Sequence, residues 1–248
     1  MKKNPKPLIY ITRSIPQHPL AAYKDRFTFR MWDKEEEPVP YGVLLEETKH
    51  ADGLLCLLTE TIDKTLLEEA KQLKIVANMA VGYNNIDIDA AKEKSVIVTN
   101  TPDVLTETTA DLAFTLILST ARRVVEANTF IRENNWNHWS PFLLAGKDVH
   151  QKTLGIVGMG RIGSAIAKRA KGFDMHIVYH SRTRKLEKER ELRAEYVSFD
   201  DLLNRSDYVI SVVPLTDETT HMFNRDAFFK MQSHAIFINI SRGETIHE

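Results

Sequence analysis

Short apolar runs alternate with amphipathic segments along the first part of the chain. The runs have the length of buried strands, and the segments between them carry apolar residues at helical spacing. This alternation predicts a parallel sheet with helices on both faces. The expected strands are Leu8–Ile11, Phe27–Met31, Gly53–Leu58, Ile75–Asn78 and Val96–Val98. The expected helices are Pro19–Asp25, Val43–His50, Asp63–Lys71 and Asp87–Lys94.

A long helix and a second alternating block follow. The helix is expected from Thr106 to about Glu133, largely buried because its apolar positions leave few polar gaps. The second block begins at Thr153, and the charge-rich segment 182–195 within it is predicted to be mostly a solvated helix face. Its expected strands are Leu154–Val157, His176–Tyr179, Tyr208–Val213 and Ala235–Ile240. Its expected helices are Arg161–Lys171, Phe199–Asn204 and Arg225–Met231. The whole pattern predicts an α/β protein.

The segment Gly158 to Gly163 (GMGRIG) connects the first strand of this block to a helix. In that context each glycine has its own purpose: Gly158 permits a tight turn, Gly160 lets backbone approach a pyrophosphate, and Gly163 allows close packing of helix on strand. The helix N-terminus adds unpaired N–H groups and a partial positive charge. The pattern predicts a dinucleotide site; the alternative is a glycine-rich turn without a ligand.

The residues after the next strand bear on the choice between NAD and NADP. An acidic residue there would hydrogen-bond the ribose 2′-hydroxyl of NAD, whereas a cation accommodates the 2′-phosphate of NADP. Here the strand is followed by Arg182, Arg184 and Lys185, with no acid among the first few residues. A guanidinium can bind a phosphate through paired charge-assisted hydrogen bonds. We therefore predict NADP, with NAD possible; the alternative is that these cations are ordinary surface charges.

Composition excludes several classes of protein and of binding site. The 248 residues are 43% hydrophobic and 27% charged with a net charge of −1, which is typical of a globular protein and gives no field favouring nucleic acid or an anionic membrane. The single cysteine, Cys56, excludes an internal disulfide and a multi-cysteine metal site, and we predict no bound metal. No apolar run approaches the ~20 residues of a membrane span, and the basic first residues lack a signal-like run. We therefore expect a cytoplasmic location.

Several segments resemble one family when taken together. The glycine loop, the Arg182 region, 213–216 (VPLT) and 239–244 (NISRGE) occur in the order seen in D-isomer-specific 2-hydroxyacid dehydrogenases, as do 79–87 (MAVGYNNID) and 100–111 (NTPDVLTETTAD). Within that family the chain is most similar to the glyoxylate/hydroxypyruvate and 2-ketogluconate reductase group. The resemblance implies a flavodoxin-like substrate domain of residues 1–99, a Rossmann nucleotide-binding domain of residues 100–248, and an active site in the cleft between them.

The resemblance also implies roles for individual residues. The amides of Val81 and Gly82 would bind the substrate carboxylate, and Arg242 would orient and polarise the keto acid as the catalytic cation. Independent support comes from position, since Gly82, Pro214 and Arg242 follow predicted strands, where ligands bind in open α/β sheets. The cofactor-binding set implied by motif and resemblance is Thr109, Gly158, Gly160, Arg161, Ile162, Gly163, Arg182, Arg184, Pro214, Thr219 and Ile240.

The implied activity is reduction of glyoxylate, hydroxypyruvate or 2-ketogluconate to the D-2-hydroxy acid with NADPH. A proton must reach the developing alkoxide, usually from a histidine oriented by a carboxylate. The family supplies that Glu–His pair after the 239–244 segment, beyond Glu248, and His247–Glu248 is no substitute because sequence neighbours do not face each other. We therefore expect a C-terminally truncated dehydrogenase that starts a helix at its end and is nearly inactive by itself.

Two other functions remain open from the sequence. One is a nucleotide-sensing or corepressor-like protein that binds NAD(P) without turnover, and the other is a phosphoglycerate dehydrogenase-like enzyme acting on a larger acid. Trp136, Trp139, Pro141 and Phe142 form an aromatic loop before the second block. Such residues are favoured at interfaces, and family members usually dimerise near this region. A homodimer is expected, with Trp139 extending towards the partner's substrate pocket; the alternative is that the aromatic residues cap the local core.

Overall fold

The computed structural model describes residues 5–248; the first four residues, where the basic amino-terminal segment begins, lie outside the described part. The chain divides into two units, Met1–Asp103 and Val104–Glu248. Each unit contains a five-stranded sheet in which all pairings are parallel. The predicted α/β class is confirmed.

The first unit has the strand order of flavodoxin, β2-β1-β3-β4-β5. Its strands are β1 (Leu8–Ile11), β2 (Thr28–Met31), β3 (Gly53–Cys56), β4 (Ile75–Asn78) and β5 (Ile97–Thr99). Its helices are α1 (His18–Ala21), α2 (Tyr41–Thr48), α3 (Lys64–Glu69) and α4 (Ile88–Glu93). Apolar side chains from both layers form one buried cluster that includes Leu54, Leu66 and Val76.

The second unit is a Rossmann arrangement. Its strands are β6 (Thr153–Val157), β7 (His176–His180), β8 (Ala194–Tyr196), β9 (Tyr208–Ser211) and β10 (Ile236–Asn239). They are ordered β10-β9-β6-β7-β8, so the strand before the glycine loop is central and the order reverses beside it. Its helices are α5 (Thr106–Ala121), α6 (Val124–Arg132), α7 (Arg161–Ala170), α8 (Leu186–Leu192), α9 (Phe199–Arg205) and α10 (Arg225–Lys230).

Local sequence explains where several helices begin. Asp63, Asp87, Ser198 and Asn224 each accept a hydrogen bond from the backbone N–H three residues ahead, which starts α3, α4, α9 and α10 respectively. The two faces of the second sheet each cover an apolar cluster. β9 is buried along its whole length, as expected of an internal parallel strand.

The prediction of one long helix from Thr106 to Glu133 is wrong. The helix ends at Ala121, and Arg123 adopts the left-handed conformation (φ 52°) before α6 begins. The Ala121 carbonyl accepts a hydrogen bond at 2.7 Å from the Lys147 amide instead of continuing the helix. The expected burial also fails beyond this break, because Val125 is 72% exposed and α6 buries none of its side chains.

Two further differences concern the second sheet. The charge-rich segment contains helix α8 as expected, but it ends in an edge strand, β8, which was not predicted because the surrounding residues are mostly charged. The helix expected to start at the end of the chain is a single 3₁₀ turn, Gly243–Thr245, after which Ile246 pairs with Phe223 as an isolated bridge.

Candidate functional site

The glycine loop has the geometry that its spacing predicts. Gly158 has φ +108°, a conformation side chains rarely adopt, and a Cβ there would lie 2.6 Å from the Val212 carbonyl oxygen. A Cβ on Gly163 would lie 2.2 Å from the Gly158 carbonyl oxygen. Both glycines are therefore required by the protein's own backbone, because any side chain would collide with main chain that cannot easily move.

Gly160 is required by nothing inside the protein. A Cβ there would meet no atom within 4 Å, and its backbone is extended (φ −86°). It is the N-cap of α7, yet no side chain caps this helix, and the first intrahelical bond runs from the Ser164 amide to the Gly160 carbonyl at 2.9 Å. The open face at Gly160 and the uncapped N-terminus behind it fit a pyrophosphate, which amides and the helix dipole would bind.

The two arginines in the segment after β7, Arg182 and Arg184, differ in the contacts that they make within the protein. Arg184 donates to both carboxylate oxygens of Glu189 at 2.8 and 2.9 Å, and its guanidinium lies 5.7 Å from the Tyr196 ring centroid. Arg182 is exposed and has no hydrogen bond or ion pair among residues 5–248. Its charge acts on Glu218, whose pKa is lowered first by the Thr216 hydroxyl and to a lesser degree by Arg182.

Glu189 is what holds Arg184 in place. The guanidinium bonds are the main cause that lowers the pKa of Glu189 to about 2, so the carboxylate stays charged at neutral pH. Tyr179 donates its hydroxyl to the same carboxylate at 2.8 Å and accepts the Lys185 amide at 2.7 Å. The loop carrying Arg182 is thereby anchored at its far end, and of the two arginines Arg182 is the one available to a ligand.

The remaining cofactor-side residues follow strands or begin a helix. The Thr219 hydroxyl donates to the Pro214 carbonyl at 2.6 Å and accepts the Thr216 amide at 2.8 Å, so it closes its own loop. Thr109 lies half-buried in the first turn of α5. Ile240 is half-buried after β10, with its amide donating to the Ser211 carbonyl at 3.2 Å. The structure thus gives Pro214 and Ile240 fixed positions and uses the Thr219 hydroxyl internally.

The Arg242 backbone is fixed by its neighbours. Its carbonyl accepts hydrogen bonds from the Asn239 amide group at 2.9 Å and the Thr245 hydroxyl at 2.7 Å. Ser241, just before it, binds the Ser211 hydroxyl and the Val213 amide. The half-buried guanidinium donates one hydrogen bond, to the Ser241 carbonyl, which leaves further donors for a carboxylate or a carbonyl.

In the first unit, Val81 and Gly82 lie in the loop after β4, and both residues are half-buried. Three consecutive carbonyls of this loop are tied inwards: those of Ala80, Val81 and Gly82 accept from the Thr101 amide, Asn100 and Asn78. The loop therefore presents amides rather than carbonyls, which suits an anion.

Histidines paired with carboxylates lie elsewhere. Among the described residues these pairs are His234–Asp207 at 2.8 Å and His50–Glu46 at 3.7 Å. Each histidine lies just before a strand, β10 and β3 respectively, whereas Gly82, Gly160 and Arg242 all follow strands. In a parallel sheet these are opposite edges, so neither pair lies at the edge of its sheet that carries the candidate site.

Two cavities of the second unit also lie at the amino ends of its strands, opposite the carboxyl ends that carry the candidate site. One, of about 480 Å³, lies at the starts of β6, β7 and β8 and is lined by Lys171, His176, Arg193 and Arg205 among others. The other, of about 280 Å³, contains His234 and Asp207. Neither contains the glycine loop, so size alone does not locate the site in this chain.

Comparisons with known proteins identify the family of this chain. A family model described as D-isomer specific 2-hydroxyacid dehydrogenase, NAD binding domain, matches residues 114–248. The chain belongs to the D-isomer-specific 2-hydroxyacid dehydrogenase family. It is 51% identical over 245 residues to a glyoxylate reductase of Pyrococcus horikoshii and 49% identical to one of Thermococcus onnurineus, covering 97% of this chain and 73% of each relative.

A solved structure supports the same membership. The TT0316 protein of Thermus thermophilus matches this dehydrogenase with a TM-score of 0.88 and 40% identity, covering 97% of this chain and 75% of that one. The predicted family, enzyme class and fold are confirmed, and the cofactor class is a nicotinamide dinucleotide. No helix in residues 5–248 is long and apolar enough to cross a membrane.

Sequence reasoning missed the residues that hold the site in shape. Asn78, Asn100, Ser241 and Glu189 make the hydrogen bonds that fix the loops of this dehydrogenase. A polar residue ending an apolar strand, such as Asn78 after Ile75–Ala77, was the available signal. Glu189 gave none, because it is one acid in a segment full of charges.

Proposed function

We propose that this dehydrogenase reduces a small 2-keto acid of the glyoxylate, hydroxypyruvate or 2-ketogluconate class to the D-2-hydroxy acid with NADPH. The observation that carries the proposal is the open, uncapped N-terminus of α7 at Gly160. The same unit contains Arg182, which makes no hydrogen bond or ion pair with the described residues. The names of the Pyrococcus and Thermococcus relatives support glyoxylate as the first substrate to try.

The cofactor is proposed to bind through this chain's glycine loop. Gly160, Arg161 and Ile162 would hold the pyrophosphate, and Gly158 and Gly163 keep strand and helix close enough for that contact. Thr109, Pro214, Thr219 and Ile240 are proposed to line the rest of the cofactor. The bound cofactor supplies the hydride that reduces the keto carbon.

The preference for NADPH is assigned to Arg182. A 2′-phosphate needs a cation that is not already neutralised, and Arg184 is bound to Glu189 through two hydrogen bonds. Arg182 can offer a planar pair of donors to the phosphate. We assign Arg184 the supporting role of shaping the loop and lining the adenosine side.

The substrate is proposed to use groups from each unit. The amides of Val81 and Gly82 would bind the carboxylate of the keto acid. The Arg242 guanidinium would orient the acid and stabilise the negative charge that develops on the keto oxygen. Because its backbone is fixed by Asn239 and Thr245, this cation is preorganised for that purpose.

The 248 residues alone are proposed to bind cofactor without steady turnover. Protonation of the alkoxide calls for an acid near the keto oxygen. The described His–carboxylate pairs, His234–Asp207 and His50–Glu46, lie at the amino ends of strands. An NADPH-dependent reduction of glyoxylate by this chain at a normal dehydrogenase rate would contradict this part of the proposal.

A homodimer is proposed to form through α6 and the aromatic loop. The helix buries none of its own side chains, and Trp139 and Phe142 in the loop are 76% and 85% exposed. Large apolar side chains this exposed are favoured at protein interfaces. Trp139 is the residue we expect to extend towards the partner's substrate pocket. A cytoplasmic location, expected from the sequence, remains a prediction.

The NADPH assignment is tested by calorimetric titration of the 248-residue chain with NADPH and with NADH. Parent protein should bind NADPH more tightly than NADH. Arg182→Ala should weaken NADPH binding about tenfold, or about 1.4 kcal/mol, and leave NADH binding unchanged. The matched control is Arg190→Ala, at an arginine of α8, which should leave both affinities unchanged. An unaltered NADPH/NADH ratio in Arg182→Ala would show that Arg182 does not select the cofactor.

A further inference from the structure

We infer that Asn78 and Asn100 are positioning residues for substrate binding, acting by fixing the direction in which the backbone amides of the loop after β4 point. The inference rests on the proposed function, because it takes the loop to be the carboxylate site. It adds the amide of Tyr83 as a third donor beside those of Val81 and Gly82.

The geometry of the peptide group carries the argument. A peptide unit is planar and trans, so its carbonyl and the N–H of the following residue point in opposite directions. The Ala80 carbonyl accepts the Thr101 amide at 2.9 Å. The Val81 carbonyl accepts the Asn100 side chain at 2.9 Å, and the Gly82 carbonyl accepts the Asn78 side chain at 2.7 Å. Each bond therefore directs the next amide, of Val81, Gly82 or Tyr83, away from the group that holds the carbonyl.

These three amides have no acceptor among the described residues. Tyr83 is 53% exposed and Val81 and Gly82 are half-buried, so a ligand can reach the loop from solvent. Consecutive N–H groups pointing the same way form an anion-binding concavity. A carboxylate has two oxygens and about four acceptor positions, which is enough to accept a hydrogen bond from each of the three amides.

Asn78 is itself held by a buried network. It is 1% exposed, and its amide group also lies 3.3 Å from the side-chain oxygen of Asn85. Asn85 in turn donates to the carbonyls of Leu57 and Glu60 at 2.9 and 3.0 Å. Buried polar networks of this kind favour one arrangement over others when fully satisfied. The loop is thereby anchored to the segment after β3 and has its shape before substrate arrives.

The test is a titration of the ¹⁵N-labelled 248-residue chain, saturated with NADPH, with oxamate, an unreactive analogue of a 2-keto acid. In the parent protein the amide signals of Val81, Gly82 and Tyr83 should shift as oxamate binds. Asn100→Ala should raise the oxamate dissociation constant about tenfold and reduce the Gly82 shift, while NADPH affinity stays at the parent value. The control is Asn84→Ala, an exposed asparagine of the same loop without a side-chain bond to the described residues, which should behave as the parent.

The outcomes separate the inference from the proposed function. Asn100→Ala with parent oxamate affinity and the parent Gly82 shift would overturn the inference alone. A parent protein that binds NADPH but shows no amide shift with oxamate would overturn the carboxylate site and the inference together. If Asn100→Ala fails to fold, Asn100→Asp is measured instead; it keeps the side chain's size and removes its donor, and the same results are expected.

Discussion

At the scale of single residues, glycines in one motif are required for different reasons. Gly158 and Gly163 are dictated by main-chain contacts of the folded protein, with Cβ approaches of 2.6 and 2.2 Å. Gly160 has open space in front of it. The first two are therefore required for folding, and we propose that the third serves ligand binding, although the motif makes all three look alike.

Gly163→Ala should destabilise the protein. Alanine is intrinsically better in a helix than glycine by about 1 kcal/mol, but here its Cβ would press on the Gly158 carbonyl. Overpacking of this kind costs about 1–3 kcal/mol, and we expect a net loss of stability in thermal unfolding. Gly172→Ala is the control, because its Cβ would meet nothing within 4 Å. Equal melting temperatures for the two variants would contradict the packing argument.

Residue-level reasoning from sequence could propose the glycine loop, the Arg182 region and the Arg242 segment as parts of the site, and these remain predictions. It could do so because turn geometry, phosphate charge and the carboxyl ends of strands restrict which residue types work. It could not separate Arg182 from Arg184, because the difference is made by Glu189 and Tyr179. Such partners depend on tertiary structure, and a single sequence does not show which acid meets which arginine.

At the scale of elements, Asp207 joins the starts of three neighbouring strands. Its carboxylate accepts the Thr153 amide at the start of β6 and binds the ring of His234, which precedes β10, while Asp207 itself precedes β9. Burial alone would raise the pKa of Asp207, but these hydrogen bonds outweigh it and the pKa lies below its ordinary value. The ionised form is therefore the one that the folded state favours.

Asp207→Asn should lower stability in a way that depends on pH. Since the folded pKa is lowered, the stabilisation is fully present above the unfolded pKa, for which the ordinary value is 3.8, and it is lost as pH falls through the folded pKa. Urea unfolding should thus show parent and variant differing at about pH 6 and converging below about pH 4. Asp217→Asn, at a residue of the loop after β9, serves as the control. A stability difference between parent and variant that persists unchanged at low pH would show that the stabilisation does not come from the ionised Asp207 carboxylate.

The elements themselves were largely predictable because buried parallel strands form clear apolar runs. The failures have physical causes. Helices α5 and α6 share one uninterrupted pattern, and the break at Arg123 is set by the later segment around Lys147 packing against Ala121. Strand β8 has only three residues beside a charged helix, so its pairing with β7 leaves little trace in the sequence.

At the scale of the whole molecule, the proposed dimer can be tested by a substitution on the exposed face of α6, which lies beside the aromatic loop in sequence. Val125→Glu would place a charge on a surface that the proposed dimer would bury. Sedimentation should show the dimer dissociation constant raised about tenfold or more, equivalent to about 1.4 kcal/mol. Ile97→Glu, at another exposed apolar position, should leave the dimer intact. A parent protein that sediments as a monomer at all concentrations would contradict the proposal.

The most direct test of the account is calorimetric titration of NADPH into the parent chain and into Gly160→Ala, with melting temperatures measured alongside. The added methyl group meets nothing within 4 Å in the protein, so the variant should melt close to the parent. It would occupy the space that the pyrophosphate needs, and NADPH binding should weaken about tenfold or more. Absence of heat with the folded parent, or equal affinity in the variant, would contradict the claim that α7 begins at a dinucleotide site.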